Sequence, residues 1–424
     1  MNASRPLGLV AATALVVGNM IGSGVFLLPA SLAPYGALSL VGWAITLGGA
    51  LLLALTFARL GAHWPQTGGP YAFARNAFGD SAGFLIAWSY WVSIWCANAA
   101  IAVAFAGSVG AMFPELVATP PRAAACALTA LWAGTAINLA GLRQAGRTQI
   151  VTTVLKLVPL LLFGGIAIWF VDARNLSLPS ETSTGAVPGA IQATVALTLW
   201  AFLGLEAATI PAGAIEDARR TIPRATVIGT LLAGIATLLA CTAVLGLLPA
   251  DRLKDSAAPM AEAARVLWGR DAAIGVAVVA AVSCFGALNG WVLLSGQIPL
   301  AAARDGLLPA RFARLDARGT PAFGVVVSSL LASVLVIANY TRSLVQLFTF
   351  SILLATAASL LPFVVSSAAW LRCGDRGRVV AALALLYASY ALIGTGTEAL
   401  AWGAGLLAIG GLMRVAQLRG RVPR

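Results

Sequence analysis

The feature that most constrains this chain is a succession of twelve apolar runs joined by short charged or Gly/Pro-rich connections. They fall at about 8–33, 38–62, 82–112, 122–141, 147–170, 190–213, 225–248, 271–302, 320–338, 343–371, 378–394 and 396–416. A bilayer core takes about 20 apolar residues per helix, and these runs match that length. Of the 424 residues, 60% are hydrophobic and only 10% charged, whereas a soluble domain is about one-quarter charged. A soluble fold of this composition lacks the polar groups to cover its surface, so lipid must cover it. The expectation is one all-α, polytopic membrane domain over residues 1–424 with twelve transmembrane helices.

The net charge of +12 has two readings, a nucleic-acid surface or loops that follow the positive-inside rule. With the N-terminus placed in the cytoplasm, nineteen of the 27 Lys and Arg fall on the cytoplasmic side, from Arg5, Arg59 and Arg75 through Arg143, Arg147 and Arg219 to Arg419, Arg421 and Arg424. Seven fall outside (Arg122, Arg174, Arg252, Lys254, Arg265, Arg270 and Arg342), and Lys156 alone lies within a span. The asymmetry favours twelve spans with both termini cytoplasmic and accounts for the basic balance without nucleic acid.

Other classes find little support. The first apolar run has no small-residue cleavage site, so no removable signal peptide is expected. Cys96, Cys126, Cys241, Cys284 and Cys373 lack metal-like spacing and read as small hydrophobes, and the single histidine, His63, rules out a multi-His centre. No nucleophile set, metal cluster or phosphate-binding glycine loop is present, so no enzyme and no cofactor is expected. Without a nucleotide motif, any transport is driven by gradients or exchange.

Two spans carry interruptions. Gly22-Ser23-Gly24 sits in the first, within Gly18-Asn19-Met20-Ile21-Gly22-Ser23-Gly24-Val25-Phe26. Such a stretch is a weak helix, and unwound backbone inside a membrane is tolerated only where it faces a cavity or ligand. Close packing through small residues is the competing explanation. In the sixth span, Trp200-Ala201-Phe202-Leu203-Gly204-Leu205-Glu206 combines a glycine with a carboxylate deep in an apolar run. An intramembrane charge marks function by default, against the plainer reading of a protonated glutamate bonded to backbone. Spans one and six occupy equivalent places in two five-span halves, the pattern of inverted-repeat transporters. There Gly22, Ser23 and Gly24 would offer N–H groups to a substrate carboxylate, and carbonyls from Trp200 to Leu203 would accept from an ammonium.

Lys156 is the other intramembrane charge. It can exchange a proton, stand as a fixed cation, or snorkel to the interface, although its mid-span position opposes the last. Asn98 can bond a ligand or glue two helices. Trp200 and Trp291 lie mid-span, away from the interfacial belts where membrane tryptophans gather, and can wall a pocket around a cationic head or simply pack.

At these residues the chain resembles the amino acid–polyamine–organocation (APC) superfamily over nearly its whole length. Gly18 to Phe26 resembles that family's first-span motif. Trp200 to Glu206, followed by Ile222-Pro223-Arg224-Ala225, resembles its sixth-span motif and following loop. Residues 284–310, with Gly290-Trp291 and Ala303-Arg304-Asp305-Gly306-Leu307-Leu308-Pro309, resemble its eighth span and helical loop. The likeness is strongest to its bacterial arginine–agmatine exchanger branch.

The resemblance implies a five-plus-five inverted repeat of the LeuT type, with repeat one at about 8–170, repeat two at about 190–371 and two further helices at about 378–416. It implies that Ile21, Ser23 and Gly24 bind the substrate carboxylate, that Trp200 and Trp291 flank the substrate, with Leu203 in the same break, and that Asn98 contacts a guanidinium. Glu206, Tyr71 and Tyr90 take gating or pocket-side roles. Two departures stand out. The branch has a serine in the tenth span where Leu353-Leu354-Ala355-Thr356 offers only Thr356, and it lacks the fifth-span lysine seen here as Lys156. In proton-coupled permeases of the superfamily that lysine takes the place of a sodium ion.

The combined expectation is an amino-acid transporter of a bacterial-type inner membrane, working by alternating access. Its partners are the lipid bilayer, a small amino acid or amine, protons through Lys156 and, within the range of arrangements, a second copy of the chain. Exchange of a basic amino acid such as arginine for a related amine is set against proton-driven uptake of a neutral amino acid, with a channel or membrane receptor as a remoter class.

Overall fold

The computed structural model describes residues 8–420, apart from 67, 178–183, 211, 213, 214, 374 and 375 and the side chains of 142–151, 184 and 416–420. Among the cations counted above, Arg5, Arg421 and Arg424 and the side chains of Arg143, Arg147 and Arg419 lie outside the described residues.

Each apolar run corresponds to a helix or a helix pair. In chain order these elements are α1 (Leu9–Met20), α2 (Gly24–Leu32), α3 (Leu38–His63), α4 (Pro70–Phe78), α5 (Asp80–Met112), α6 (Pro120–Leu139), α7 (Leu142–Ala167), α8 (Val187–Leu199), α9 (Ala218–Leu247), α10 (Ala250–Leu253), α11 (Pro259–Trp268), α12 (Arg270–Arg304), α13 (Ala322–Ala338), α14 (Leu344–Cys373), α15 (Arg378–Ile393) and α16 (Thr397–Gly420). Among the described residues, eight helical segments are long and apolar enough to cross a membrane, and three shorter apolar helices (Val187–Phe202, Ala322–Ala338 and Arg378–Ile393) accompany them.

The helices are apolar on the outside. On α7, Val154, Leu155, Val158 and Leu162 are more than half exposed, while Lys156, Leu160, Phe163 and Ala167 are buried at helical spacing. This is the burial pattern of a helix whose outer face meets lipid and whose inner face meets protein. The centre is α5, of whose apolar stretch 89% is buried. It packs along α12 and α14, while α1 lies against α9, and α3 against both α8 and α9.

Polar pairs fix the helices where hydrocarbon offers no alternative partner. Asn138 Nδ2 on α6 donates to the Asn289 carbonyl on α12 at 3.1 Å. The Thr135 and Ser329 hydroxyls join α6 to α13 at 2.7 Å, and those of Thr46 and Thr198 join α3 to α8 at 2.7 Å.

Two helix–glycine–helix units share one geometry. Short α4 starts at Pro70, ends in Gly79 (φ 86°, ψ −178°) and leads into the 33-residue α5. Short α11 starts at Pro259, ends in Gly269 (φ 85°, ψ −170°) and leads into the 35-residue α12. Each glycine N–H closes back onto an arginine carbonyl, Arg75 at 2.8 Å and Arg265 at 3.0 Å.

One sequence expectation needs correction. Ile222-Pro223-Arg224-Ala225 is not a loop but lies inside α9, which begins at Ala218. Pro223, the sixth residue of α9, has no N–H for the Arg219 carbonyl, yet the helix continues through it. The sixth run is also less helical than its hydropathy: regular helix stops at Leu199, and short 3₁₀ turns (Trp200–Phe202 and Ala207–Thr209) carry the chain onward.

Candidate functional site

The first break falls between α1 and α2. Ile21 closes α1 by donating its N–H to the Val17 carbonyl at 2.9 Å. The next two N–H groups, of Gly22 and Ser23, have no acceptor among the described residues, and the buried Ser23 hydroxyl has no partner. Helix α2 then begins at Gly24. These are the free donors that any helix N-terminus presents.

The second break runs from Leu203 to Glu206. Gly204 adopts φ +106°, and a Cβ there would lie 2.9 Å from the Asn19 Cβ and 3.1 Å from the Met20 nitrogen, so the two breaks touch through this glycine. The Glu206 carboxylate is fully buried; it accepts from the Gly204 N–H at 3.1 Å and from the Tyr90 hydroxyl on α5 at 2.6 Å. The carbonyls of Ala201 and Leu203 accept no hydrogen bond among the described residues. One break therefore offers free donors and the other free acceptors.

Between them is a cavity of about 10 Å³ lined by Asn19, Ser23, Gly24, Trp200, Leu203 and Trp291, with Ile101 of α5 also on its wall. That volume is at the lower limit for one water, so the central space is closed up. The Trp200 indole lies over Gly24, where a Cβ would approach its Cδ1 to 2.9 Å. Its far side meets Phe348 of α14 edge-on, with centroids 6.4 Å apart. Apart from this cavity, at the face opposite the N-terminus, a vestibule of about 760 Å³ opens between α2, α8, α14 and the 394–399 turn.

The N-terminal face is tied shut. The Tyr71 hydroxyl on α4 donates to Asp305 Oδ2 at 2.6 Å, and Arg75 bridges the same oxygen at 2.8 Å and Asp80 at 2.8 Å. Burial, and then the bond to Asp305, raise the Tyr71 phenol above its ordinary range, so it remains a donor at neutral pH. The Gly68 N–H adds a bond to the Ile210 carbonyl, beyond the second break, at 3.1 Å.

The expected residues thus divide. Ser23, Gly24, Trp200, Leu203 and Trp291 share one cavity. Ile21, Asn98 and Thr356 are fully buried but not on its wall, and the Asn98 amide and Thr356 hydroxyl have no partner among the described residues. Asn98 sits one turn from Ile101, on the same face of α5. Lys156 does not snorkel: it is fully buried and its ammonium donates to the Gly18 carbonyl, just before the first break. Sequence reasoning missed Asn19, Met20 and Ile101 on the cavity wall. Asn19 and Met20 lie inside the quoted motif, whereas Ile101 carries no signal beyond its spacing from Asn98.

Residues 7–403 match the family model described as amino acid permease. The chain belongs to this family of the APC superfamily. It is 34% identical to the cadaverine/lysine antiporter of Escherichia coli K12 over 80% of this chain and 76% of that protein. It is 32% identical to a putative arginine/ornithine antiporter of Bacillus subtilis 168, over 87% and 84% of the two chains. To the putrescine transporter PotE of Haemophilus influenzae it is 30% identical over 96% of both. The superfamily's basic amino acid and polyamine antiporter branch is where this member of the amino acid permease family falls, and its relatives are transporters rather than enzymes.

Proposed function

We propose that this chain exchanges a basic amino acid for a related amine across a bacterial inner membrane, by alternating access through twelve spans with both termini cytoplasmic. The observation that carries the reading is the pairing of free groups around one cavity. The Gly22 and Ser23 N–H groups suit an α-carboxylate, and the Leu203 carbonyl across from them suits an α-ammonium. The matched units α4–Gly79–α5 and α11–Gly269–α12 support an inverted repeat. Substrates named for the relatives (lysine and cadaverine, arginine and ornithine, putrescine) support a cationic cargo.

In this reading Trp200 and Trp291 flank the cationic side chain, while the unpartnered amide of Asn98 and hydroxyl of Thr356 meet it when the cavity widens. Glu206 links the sixth-span break to Tyr90 on α5, so a shift of the break is passed to the central helix. Purified protein in liposomes tests the exchange. Labelled arginine or lysine is expected to leave only when a basic amino acid or its amine is supplied outside; efflux into empty buffer contradicts obligatory exchange.

The Lys156 contact with Gly18 favours a second reading, proton-coupled uptake of a neutral amino acid in which release of that contact loosens the first break. It requires Lys156→Ala to lose both transport and its pH dependence. Undiminished transport that keeps the wild-type pH dependence in that variant removes the lysine from the mechanism.

A further inference from the structure

The outer vestibule carries an uneven set of charges that the central site does not use. Among the described residues its charged lining consists of Lys254, Arg342 and Glu398. Arg342 Nη2 pairs with Glu398 Oε1 at 2.9 Å, and the Arg342 guanidinium also lies 4.6 Å from the centroid of the Phe350 ring. Among the described residues Lys254 pairs with Asp251 alone, at 3.5 Å, an acid almost fully exposed. The side chains of Arg342 and Glu398 are 36% and 56% exposed, so their pairing is weak and opens readily in water. The floor of the vestibule is close to the central site: Leu197 and Leu353 line it, each three residues, or about 5 Å of helix, before Trp200 and Thr356.

We infer that this vestibule is a capture site for the carboxylate-bearing form of the cargo, which sorts an amino acid from its decarboxylated amine before either reaches the central cavity. Two cations and one carboxylate complement a molecule that carries a carboxylate beside an ammonium. The carboxylate meets Lys254 and Arg342, and the ammonium replaces Arg342 at Glu398. An amine of the same length has its cations but no anion, so Lys254 and Arg342 repel it and, within the vestibule lining, Glu398 alone attracts it. The exchanger would therefore take up the amino acid from this face in preference to the amine. The cargo's identity rests on the exchange reading above, but the sorting concerns the carboxylate alone.

The test is external KM for entry at this face, measured on full-length protein in liposomes for lysine against cadaverine and, in parallel, leucine against its amine. In the Lys254→Gln/Arg342→Gln double variant the KM for the amino acid should rise about three- to fivefold, as expected for exposed charges, while that for the amine falls. In Glu398→Gln both values should rise. The splitting should shrink as salt is raised from about 10 mM to about 150 mM, which shortens the screening length. If the two KM values of the double variant move together, or neither moves, the vestibule does not sort. Wild-type protein that carries leucine but not lysine would overturn the basic-exchange reading and leave the sorting to be judged on the leucine pair.

Discussion

Gly204 is where the two breaks meet, and its requirement is backbone in origin. It combines φ +106° with a separation from Asn19 that leaves no room for a Cβ, and non-glycine residues held in such conformations cost on the order of 1–3 kcal/mol. Gly204→Ala is therefore expected to lower the melting temperature in detergent and to abolish exchange. Gly48→Ala on α3 serves as the comparison: a Cβ there meets nothing within 4 Å, and alanine favours a helix over glycine by about 0.5–1 kcal/mol. Equal melting temperatures for the two variants would contradict this role for Gly204. The glycine was legible in the sequence, as was Glu206, but not the purpose of either. A glycine and an acid in an apolar run signal an interruption, whereas the bond from the Tyr90 hydroxyl to Glu206 and the contact of Gly204 with Asn19 appear only when distant segments are brought together.

At the scale of the element, α2 and α14 form opposite walls between the central cavity and the vestibule. The Ser31 and Thr349 hydroxyls join them at 2.7 Å. Alternating access requires these walls to move relative to one another. Ser31→Cys/Thr349→Cys should form a disulfide under oxidation, because the side-chain ends lie within reach of a sulfur–sulfur bond of about 2.05 Å. Oxidised protein should lose exchange and reductant should restore it. Full activity with the cross-link intact would show that this wall does not move.

The elements themselves were largely legible, because hydropathy and helix length report the same physical requirement, a satisfied backbone in lipid. The short helices α4 and α11 were not. They precede the long spans and are only 9 and 10 residues long, below the length that a membrane pattern reveals. Nor was the helical state of Ile222 to Ala225, which the resemblance places in a loop and the structure places inside α9.

For the whole molecule, the cation asymmetry makes a prediction about orientation. A cysteine at Arg311, in the connection after α12, should react with a membrane-impermeant maleimide only in inside-out vesicles. One at Asp251, in α10, should react only in right-side-out vesicles. Labelling of both from one side would break the topology. The same scale separates the closed N-terminal face, tied by Tyr71, Arg75, Asp80 and Asp305, from the open vestibule opposite. No residue pattern announces which face is open, since both are built from helices of the same composition.

By itself, the sequence determined that the chain is helical, lies in lipid and is interrupted at two places, because burial of backbone polar groups in hydrocarbon admits few other solutions for so apolar a chain. It also determined the residue types that meet at the interruptions. Only the tertiary structure decided that the two breaks abut through Gly204, that Lys156 points at Gly18 rather than at the interface, and that the closed cavity walled by Trp200 is distinct from the open vestibule. Those outcomes depend on contacts between residues tens to hundreds of positions apart. Periodicity along one helix selects the face that is buried, but not the neighbour that buries it.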